Sequence, residues 1–265
     1  MENMSTVLTD IQAGVLSITL NRPECLNSFN EELHQQLSQA MDIAEQDESV
    51  RCVRLTGAGR GFCAGQDLND RNVVISDGGI PDLGLSVERY YNPLIRRMTS
   101  LPKPIICAVN GVAAGAGVSL ALACDIVIAS RTASFIQAFC RIGLTPDSGG
   151  SYFLPHKIGQ ARAMGMALLG DKISAEQALD WGMIWQVVEP EELEDTTQKL
   201  ARHLATQPTL ALSCIKQATY ATATNTLEQQ LALERDLQRR CGHSEDFREG
   251  VNAFIEKRQP MFKGK

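Results

Sequence analysis

The stretch Cys107–Asp125, CAVNGVAAGAGVSLALACD, decides how the rest of the chain is read. It continues an apolar, β-compatible run, Ile105–Val109, and breaks at the turn pair Asn110-Gly111. Gly115-Ala116-Gly117 then opens an Ala/Leu-rich run that ends at Asp125. The pattern predicts strand, tight turn and helix. The first N–H groups of such a helix have no acceptor within it, and they carry the positive end of its dipole. Small side chains at 113–117 let a ligand approach that backbone closely. The turn can therefore donate N–H bonds to a developing oxyanion. The same residues would also serve plain helix–strand packing.

Val53–Thr56 reads as a second short strand, followed by GAGRGFCAGQDL, Gly57–Leu68, with four glycines in its first nine positions. This is no dinucleotide fingerprint, because Phe62 stands where the third glycine falls, and no Gly-Lys-Ser/Thr follows as in a P-loop. Two small-residue turns after two strands suit an oxyanion hole built from two backbone donors. With Asn21-Arg22-Pro23 before them and CDIVIAS, Cys124–Ser130, after them, these motifs resemble the crotonase superfamily, the enoyl-CoA hydratases and isomerases. The resemblance is collinear over nearly the whole chain.

At 265 residues the chain can bury a sizeable core, as one large domain or as a core with a smaller lobe. Its 44% apolar and 21% charged residues are ordinary for a globular protein. A net charge of −6 offers no general attraction to nucleic acid or to an anionic membrane, and neither partner is expected. A phosphate-rich ligand must find local cations. The eight cysteines form no CxxC pair and no Cys/His cluster of zinc-ligand spacing, so no metal site is expected. Cys52, Cys107 and Cys124 sit in apolar runs, as buried free thiols do. The N-terminal MENMSTVLTD lacks a basic-then-apolar signal. No run approaches about 18 uninterrupted apolar residues. A cytoplasmic location is the expectation.

In chain order, Val15–Leu20 reads as a strand and Ser28 with Glu31 as a capping box for a helix reaching Asp47. Asn69–Ser86, polar and Gly-rich, reads as a mobile flap, and Val87–Ser100 as a helix disturbed at Pro93. Ile126–Ala129 is a buried-type strand, Phe135–Phe139 a short extended piece and Gly143–Gly150 a turn. Ala161–Leu169 and Ser174–Gly182 read as short helices, and Trp185–Val188 as a strand. Three helical stripes follow: Leu193 to Leu204, Leu227 to Leu237, and Phe247 to Ile255 behind a Ser244 cap.

The resemblance implies an α/β fold, a crotonase-like spiral of ββα units with a helical C-terminal region that builds a homotrimer, often doubled to a hexamer. Residues 1–190 would form the acyl-CoA-binding core and 191–265 the helical region. The substrate would be an acyl-CoA thioester, with coenzyme A as part of the substrate and no separate cofactor. Motif position assigns the two oxyanion donors to the N–H groups of Gln66 and Ala116, with Gly115 and Ser119 beside them. Arg22, Leu26, Ala64, Asp67 and Leu68 fall where the family grips the nucleotide end of CoA. Phe254 and Lys257 fall where a neighbouring subunit adds to that grip.

Departures from the family pattern narrow the chemistry. Hydratases carry one catalytic Glu where this chain has Ser119 and a second where it has Phe139. Adding water needs both carboxylates, so ordinary hydratase activity is expected to be weak or absent. Ser119 can hydrogen-bond a substrate but cannot act alone as a base. Asp147, within GLTPDSGG, stands where isomerase-type members place a single carboxylate, and one is enough to lift a proton and return it elsewhere. Taken without the resemblance, Asp147 also reads as a turn or helix-cap residue. Asp125 reads as structural, and none of the four histidines falls in a site motif.

Gly59–Val73, Ser86–Arg97, GLTPDSGG and Gln177–Val188 are further similar to one branch of the superfamily. Those are the isomerases of bacterial phenylacetate degradation, which turn ring 1,2-epoxyphenylacetyl-CoA into the oxepin thioester and also shift the double bond of dehydroadipyl-CoA. The expectation is an acyl-CoA isomerase of this kind. A general Δ3,Δ2-enoyl-CoA isomerase, another hydratase-family enzyme, and a silent CoA-ester-binding subunit are the alternatives.

Overall fold

The computed structural model describes residues 5–69 and 82–265. Strands leave the chain in pairs: β3 (Cys52–Gly57) with β4 (Gly61–Cys63), β5 (Ile105–Val109) with β6 (Val112–Ala114), and β7 (Ile126–Ser130) with β8 (Ser134–Ile136). The first of each pair joins a six-stranded sheet that also holds β1 (Val7–Gln12), β2 (Val15–Leu20) and β10 (Gln186–Val188), in the order β1-β2-β3-β5-β7-β10. The second joins a four-stranded sheet, β4-β6-β8-β9, whose last strand is Lys172–Ser174. Only β1–β2 and β8–β9 pair antiparallel among the described strands. A helix between pairs returns the chain to the first sheet, which makes each ββα unit one turn of a spiral. β5, IICAV, is buried at every residue, as a strand covered on both faces must be.

Helix α1 (Glu31–Gln46) follows β2. Its cap is Asn30, whose side chain accepts from the Leu33 N–H, rather than the Ser28–Glu31 box. Its last carbonyls are met by a buried cation: Lys103 Nζ donates to the Ala44 and Asp47 carbonyls at 2.7 and 2.8 Å. Of the expected flap, residues 70–81 lie outside the described residues. Its end is helical: Asp82 caps α2 (Leu83–Ser86), which runs through a π-helical turn, Val87–Tyr91, into α3 (Asn92–Ser100). The irregularity foreseen at Pro93 therefore falls one turn earlier.

α4 (Ala116–Leu122), AGVSLAL, is buried at all its residues, so it needs no polar face. α5 (Gly150–Leu169) is longer than the 161–169 helix expected, because Pro155 and a break at Gly159 (φ 76°, ψ 159°) hide its first half from the periodicity. The piece expected to be extended over 135–139 is extended only as far as Ile136, the end of β8, and then turns into a 3-10 helix, Ala138–Ile142. α6 (Ala175–Asp180) precedes β10.

Four helices, not three, close the chain: α7 (Leu193–Ala205), α8 (Thr209–Ala221), α9 (Leu227–Gly242) and α10 (Glu245–Glu256). α8, TLALSCIKQATYA, spreads its apolar residues round the helix, and no clean stripe announces it. α7 lays Leu193 and Ala201 onto the outer face of the large sheet. The predicted Ser244 cap is present, accepting from the Phe247 N–H at 3.0 Å. The stripes on α9 and α10 stay uncovered by this chain: Leu227, Leu231, Phe254 and Ile255 are exposed, Phe254 to 86%. Among the described residues no helix is long and apolar enough to cross a membrane, and no His/Cys/Asp/Glu group could hold a metal ion. Cys52, Cys63, Cys107, Cys124 and Cys214 are buried free thiols. Burial pushes those of Cys52 and Cys63 up to about 12.

Glycine brings the two sheets' turns together. A Cβ on Gly117, in α4, would sit 2.1 Å from the Cys63 carbonyl oxygen of β4. Alanine is the better helix former by about 1 kcal/mol, so any net loss in Gly117→Ala isolates the steric term. The variant is expected to lose at least the ~1–3 kcal/mol of an overpacked core site. Urea denaturation measures this, and an unchanged midpoint would mean that the turns can part at no cost.

Candidate active site

The first turn folds around Gly65 (φ 87°), a backbone state that glycine adopts freely. Gln66 bridges Phe29 in parallel: the Phe29 N–H donates to the Gly65 carbonyl and the Asp67 N–H to the Phe29 carbonyl. That pairing turns the Gln66 N–H to the opposite side, where it has no acceptor among the described residues. The Gln66 side chain is fixed separately. Its Nε2 donates to the Phe29 carbonyl at 3.0 Å, and its Oε1 accepts from the Tyr91 hydroxyl at 2.7 Å.

The second turn places Gly115 (φ 52°, ψ −121°) just before α4. The Gly115 N–H donates to the Ile136 carbonyl, which ties the turn to β8. Ala116, the first helical residue, has an N–H with no acceptor among the described residues, as helix geometry dictates. The turns touch: a Cβ on Gly65 would come within 2.8 Å of the Ala114 carbonyl oxygen and 3.4 Å of the Ala116 nitrogen. Two unspent backbone donors thus face one small space.

The third segment is Gly143–Gly150. Asp147 is held through its main chain, whose carbonyl accepts from the Gly150 N–H at 2.8 Å and from the Ser119 hydroxyl at 3.0 Å. Its carboxyl Oδ1 accepts from the Ser148 hydroxyl at 2.9 Å. Burial raises the Asp147 carboxyl above its ordinary value, and the Ser148 bond opposes that rise. Asp147 shares with Gln66, Ala116, Gly115, Ala64 and Leu68 a cavity of about 240 Å³, walled by Phe139, Ile142, Leu144 and Val87. Asp82 also lines it, but accepts from the Leu85 N–H as a helix cap.

Other predicted site residues lie elsewhere. Ser119 is fully buried behind the cavity wall with its hydroxyl engaged on the Asp147 carbonyl, so it positions the turn rather than touching the cavity. Arg22 is paired with Asp67 at 3.0 Å and also donates to the Ser28 carbonyl at 2.6 Å. Leu26, in the left-handed region at φ 54°, accepts from the Ala64 N–H through its carbonyl. These residues brace the first turn from beneath. Phe254 and Lys257 end α10 and do not line the cavity of their own chain. Asp125 is structural as expected: it accepts from the Ile105 N–H and pairs with Lys216 at 2.9 Å.

Sequence reasoning missed Tyr91 and Ser148. Tyr91 is brought to the cavity by the π-helical turn, a local widening that no residue pattern marks. Ser148 carried one legible signal, its place beside two glycines in a turn. Behind Tyr91, His34 stacks on Phe29 and Tyr90 with centroids 4.6 and 5.0 Å away, and meets Tyr91 edge-on at 4.5 Å.

The ββα spiral that carries this cavity coincides with the fold of the solved structures to which the chain is similar. The family model for enoyl-CoA hydratase/isomerase matches residues 10–265, and the chain belongs to that family. It is 63% identical to a 1,2-epoxyphenylacetyl-CoA isomerase of Escherichia coli over 99% of this chain and 100% of the relative. It is 34% identical to a trans-2-decenoyl-[acyl-carrier-protein] isomerase of Streptococcus mutans, over 98% of each chain. A crystal structure of an enoyl-CoA hydratase from Bacillus anthracis superposes with a TM-score of 0.92 at 32% identity, covering 98% of this chain and 100% of that one.

The aromatic support gives a pH dependence. Burial pushes the His34 imidazole down to about 4, whereas in the unfolded chain it titrates near its ordinary 6.5. Between those values the unfolded chain binds the extra proton. Stability is therefore complete above pH 6.5 and declines as pH falls toward 4. Between pH 7 and 4.5 the wild type is expected to lose about 2–3 kcal/mol more than His34→Phe, which keeps the stack without the titration. Urea unfolding of both proteins checks it; parallel pH curves would exclude His34 as the source.

Proposed function

We propose that the chain is an acyl-CoA isomerase in which Asp147 is the single acid/base group. The observation that carries this reading is the meeting of the free Gln66 and Ala116 N–H groups and the Asp147 carboxyl in one cavity. In this reading the thioester oxygen sits between the two N–H groups, which stabilise the enolate formed when a proton leaves the acyl chain. Asp147 takes that proton and returns it at a vinylogous carbon. Burial, by raising its carboxyl, brings it closer to a working base.

For the substrate, the reading is ring 1,2-epoxyphenylacetyl-CoA, rearranged to the oxepin thioester, with double-bond shifts in enoyl-CoA thioesters as a second capability. The apolar walls from Phe139, Ile142, Leu144 and Val87 and the 63% identity to the Escherichia coli isomerase support it. Hydration is disfavoured because Phe139 and the engaged Ser119 stand where hydratases carry their acids, and Asp82 is held as a helix cap. A general Δ3,Δ2-enoyl-CoA isomerase would use the same three groups, and kcat/KM for ring-epoxide against linear substrates separates the two.

Asp147→Asn keeps the side-chain shape and removes the base. It is expected to bind acyl-CoA as the wild type does and to slow isomerisation of 3-enoyl-CoA by about 10²–10⁴-fold, followed by 2-enoyl absorbance. Near-wild-type turnover would sink the proposal.

We also propose a homotrimer or hexamer. The uncovered apolar faces of α9 and α10, with Phe254 and Ile255 exposed, support a second copy as their cover. The CoA phosphates would then meet Lys257 of a neighbour, while Arg22, committed to Asp67, braces the loop. Light scattering is expected to give a trimer or hexamer; a monodisperse species at the 28.9 kDa of one chain would rule it out.

A further inference from the structure

Ser148 occupies a backbone state that does not favour it. Its φ is +52°, in the left-handed region, and the next residue, Gly149, is also left-handed at φ +80°. Glycine would fit position 148 with less strain, yet a side chain is present, and it is only 3% exposed. That side chain makes one hydrogen bond among the described residues, to Asp147 Oδ1 at 2.9 Å. Asp147 Oδ2 accepts from no other residue among them, and the main-chain N–H of Asp147 itself also favours the charged carboxyl. The main chain of Asp147 is meanwhile pinned at its carbonyl by Ser119 and Gly150. Among the described residues, Ser148 is thus the one side chain that binds the carboxyl, and it does so at Oδ1.

We infer that Ser148 is a positioning residue for Asp147: its hydroxyl fixes Oδ1 and so assigns proton transfer to Oδ2. This rests on the reading of Asp147 as the acid/base group. In the forward step a substrate C–H bond breaks and its electron pair passes into the enolate, while the proton forms an O–H bond at Oδ2. The reverse step delivers the same proton to the new carbon, and no other reactant enters. The left-handed turn is the device that aims the Ser148 hydroxyl back at the preceding side chain. The titratable groups on the surrounding elements are Cys140 and Arg141 before the turn, Tyr152 after it, and Asp82 and Tyr91 across the cavity. Arg141 is paired with Asp171 and Asp82 with the Leu85 N–H, so Ser148 is the side chain that bears on the carboxylate directly, beside the main-chain N–H of Asp147 itself.

Ser148→Ala and Ser148→Gly test this together, with 3-enoyl-CoA as the probe. Both lose the hydroxyl; only alanine keeps a Cβ at positive φ, so the glycine variant is the more stable of the two. Losing a donor to the charged form raises the pKa of the base. The acid limb of kcat/KM against pH is therefore expected to move up by about one unit in both variants. At neutral pH kcat is expected to fall about 3–30-fold, with KM changed less than about twofold. An unmoved limb in both variants overturns the inference, as does a shift present in alanine and absent in glycine, which would trace it to strain. Asp147→Asn, assayed beside them, separates the two levels. If it keeps its activity, the acid/base reading fails and this inference with it. If it is inactive while both Ser148 profiles stay put, only the role of Ser148 falls.

Discussion

The fold depends on one close approach, the backbone of α4 against the backbone of β4. Gly117 lies so near the Cys63 carbonyl that no side chain fits between them. Closeness at this point brings the Gly65 turn within reach of the Ala116 nitrogen. It lets two loops from different turns of the spiral act as one surface. The spiral topology makes this economical, because each ββα unit sets its own strand-to-strand turn at the same edge of the molecule. A single architectural repeat thereby supplies both donors without any side chain.

Electrostatics follow from the same arrangement. An N–H left without an acceptor is costly wherever it is buried, and the two at Gln66 and Ala116 are tolerable because they face a cavity. The carboxyl opposite them is raised by the same dry walls that strengthen the donors. Everything else near the site is spent on rigidity: Arg22 on Asp67, Tyr91 on the Gln66 amide, Ser119 on the Asp147 carbonyl. The His34 stack extends this bracing into the core, at the cost of an imidazole that stays neutral in the folded chain until the pH falls to about 4.

Much of this was legible in the residues. The Gly-rich segments after Val53–Thr56 and Ile105–Val109 announced two strand–turn units, since only small residues permit such turns. Asp147 stood out as the lone acid in a Pro/Gly loop. What escaped had physical reasons. α5 was halved because Pro155 hides the helical stretch before it and Gly159 interrupts the helix with a kink. α8 lacks a stripe because its apolar residues are spread round the helix, and Thr209 and Cys214 alone of its residues are buried. Ser119 was read as a departure from the hydratases. Its actual partner, a main-chain carbonyl 28 residues later, is a tertiary fact that local spacing cannot carry. Tyr91 depends on a π-helical turn, and Ser148 on a positive φ, neither of which is written in residue type alone.

The buried cysteines make the molecule an instrument for timing its own openings. A thiol pushed up to about 12, like those of Cys52 and Cys63, exists as thiolate in only about one molecule in 10⁵ at neutral pH. Out of water as well, such sulfur neither alkylates nor climbs the oxidation ladder while the fold is closed. Each then reacts only when its own segment swings free, and the rate of its loss counts those excursions. Cys63 lies beside the Gly65 turn and Cys52 at the start of β3. The pair are two clocks in one chain, one set at the rim of the cavity and one within the large sheet.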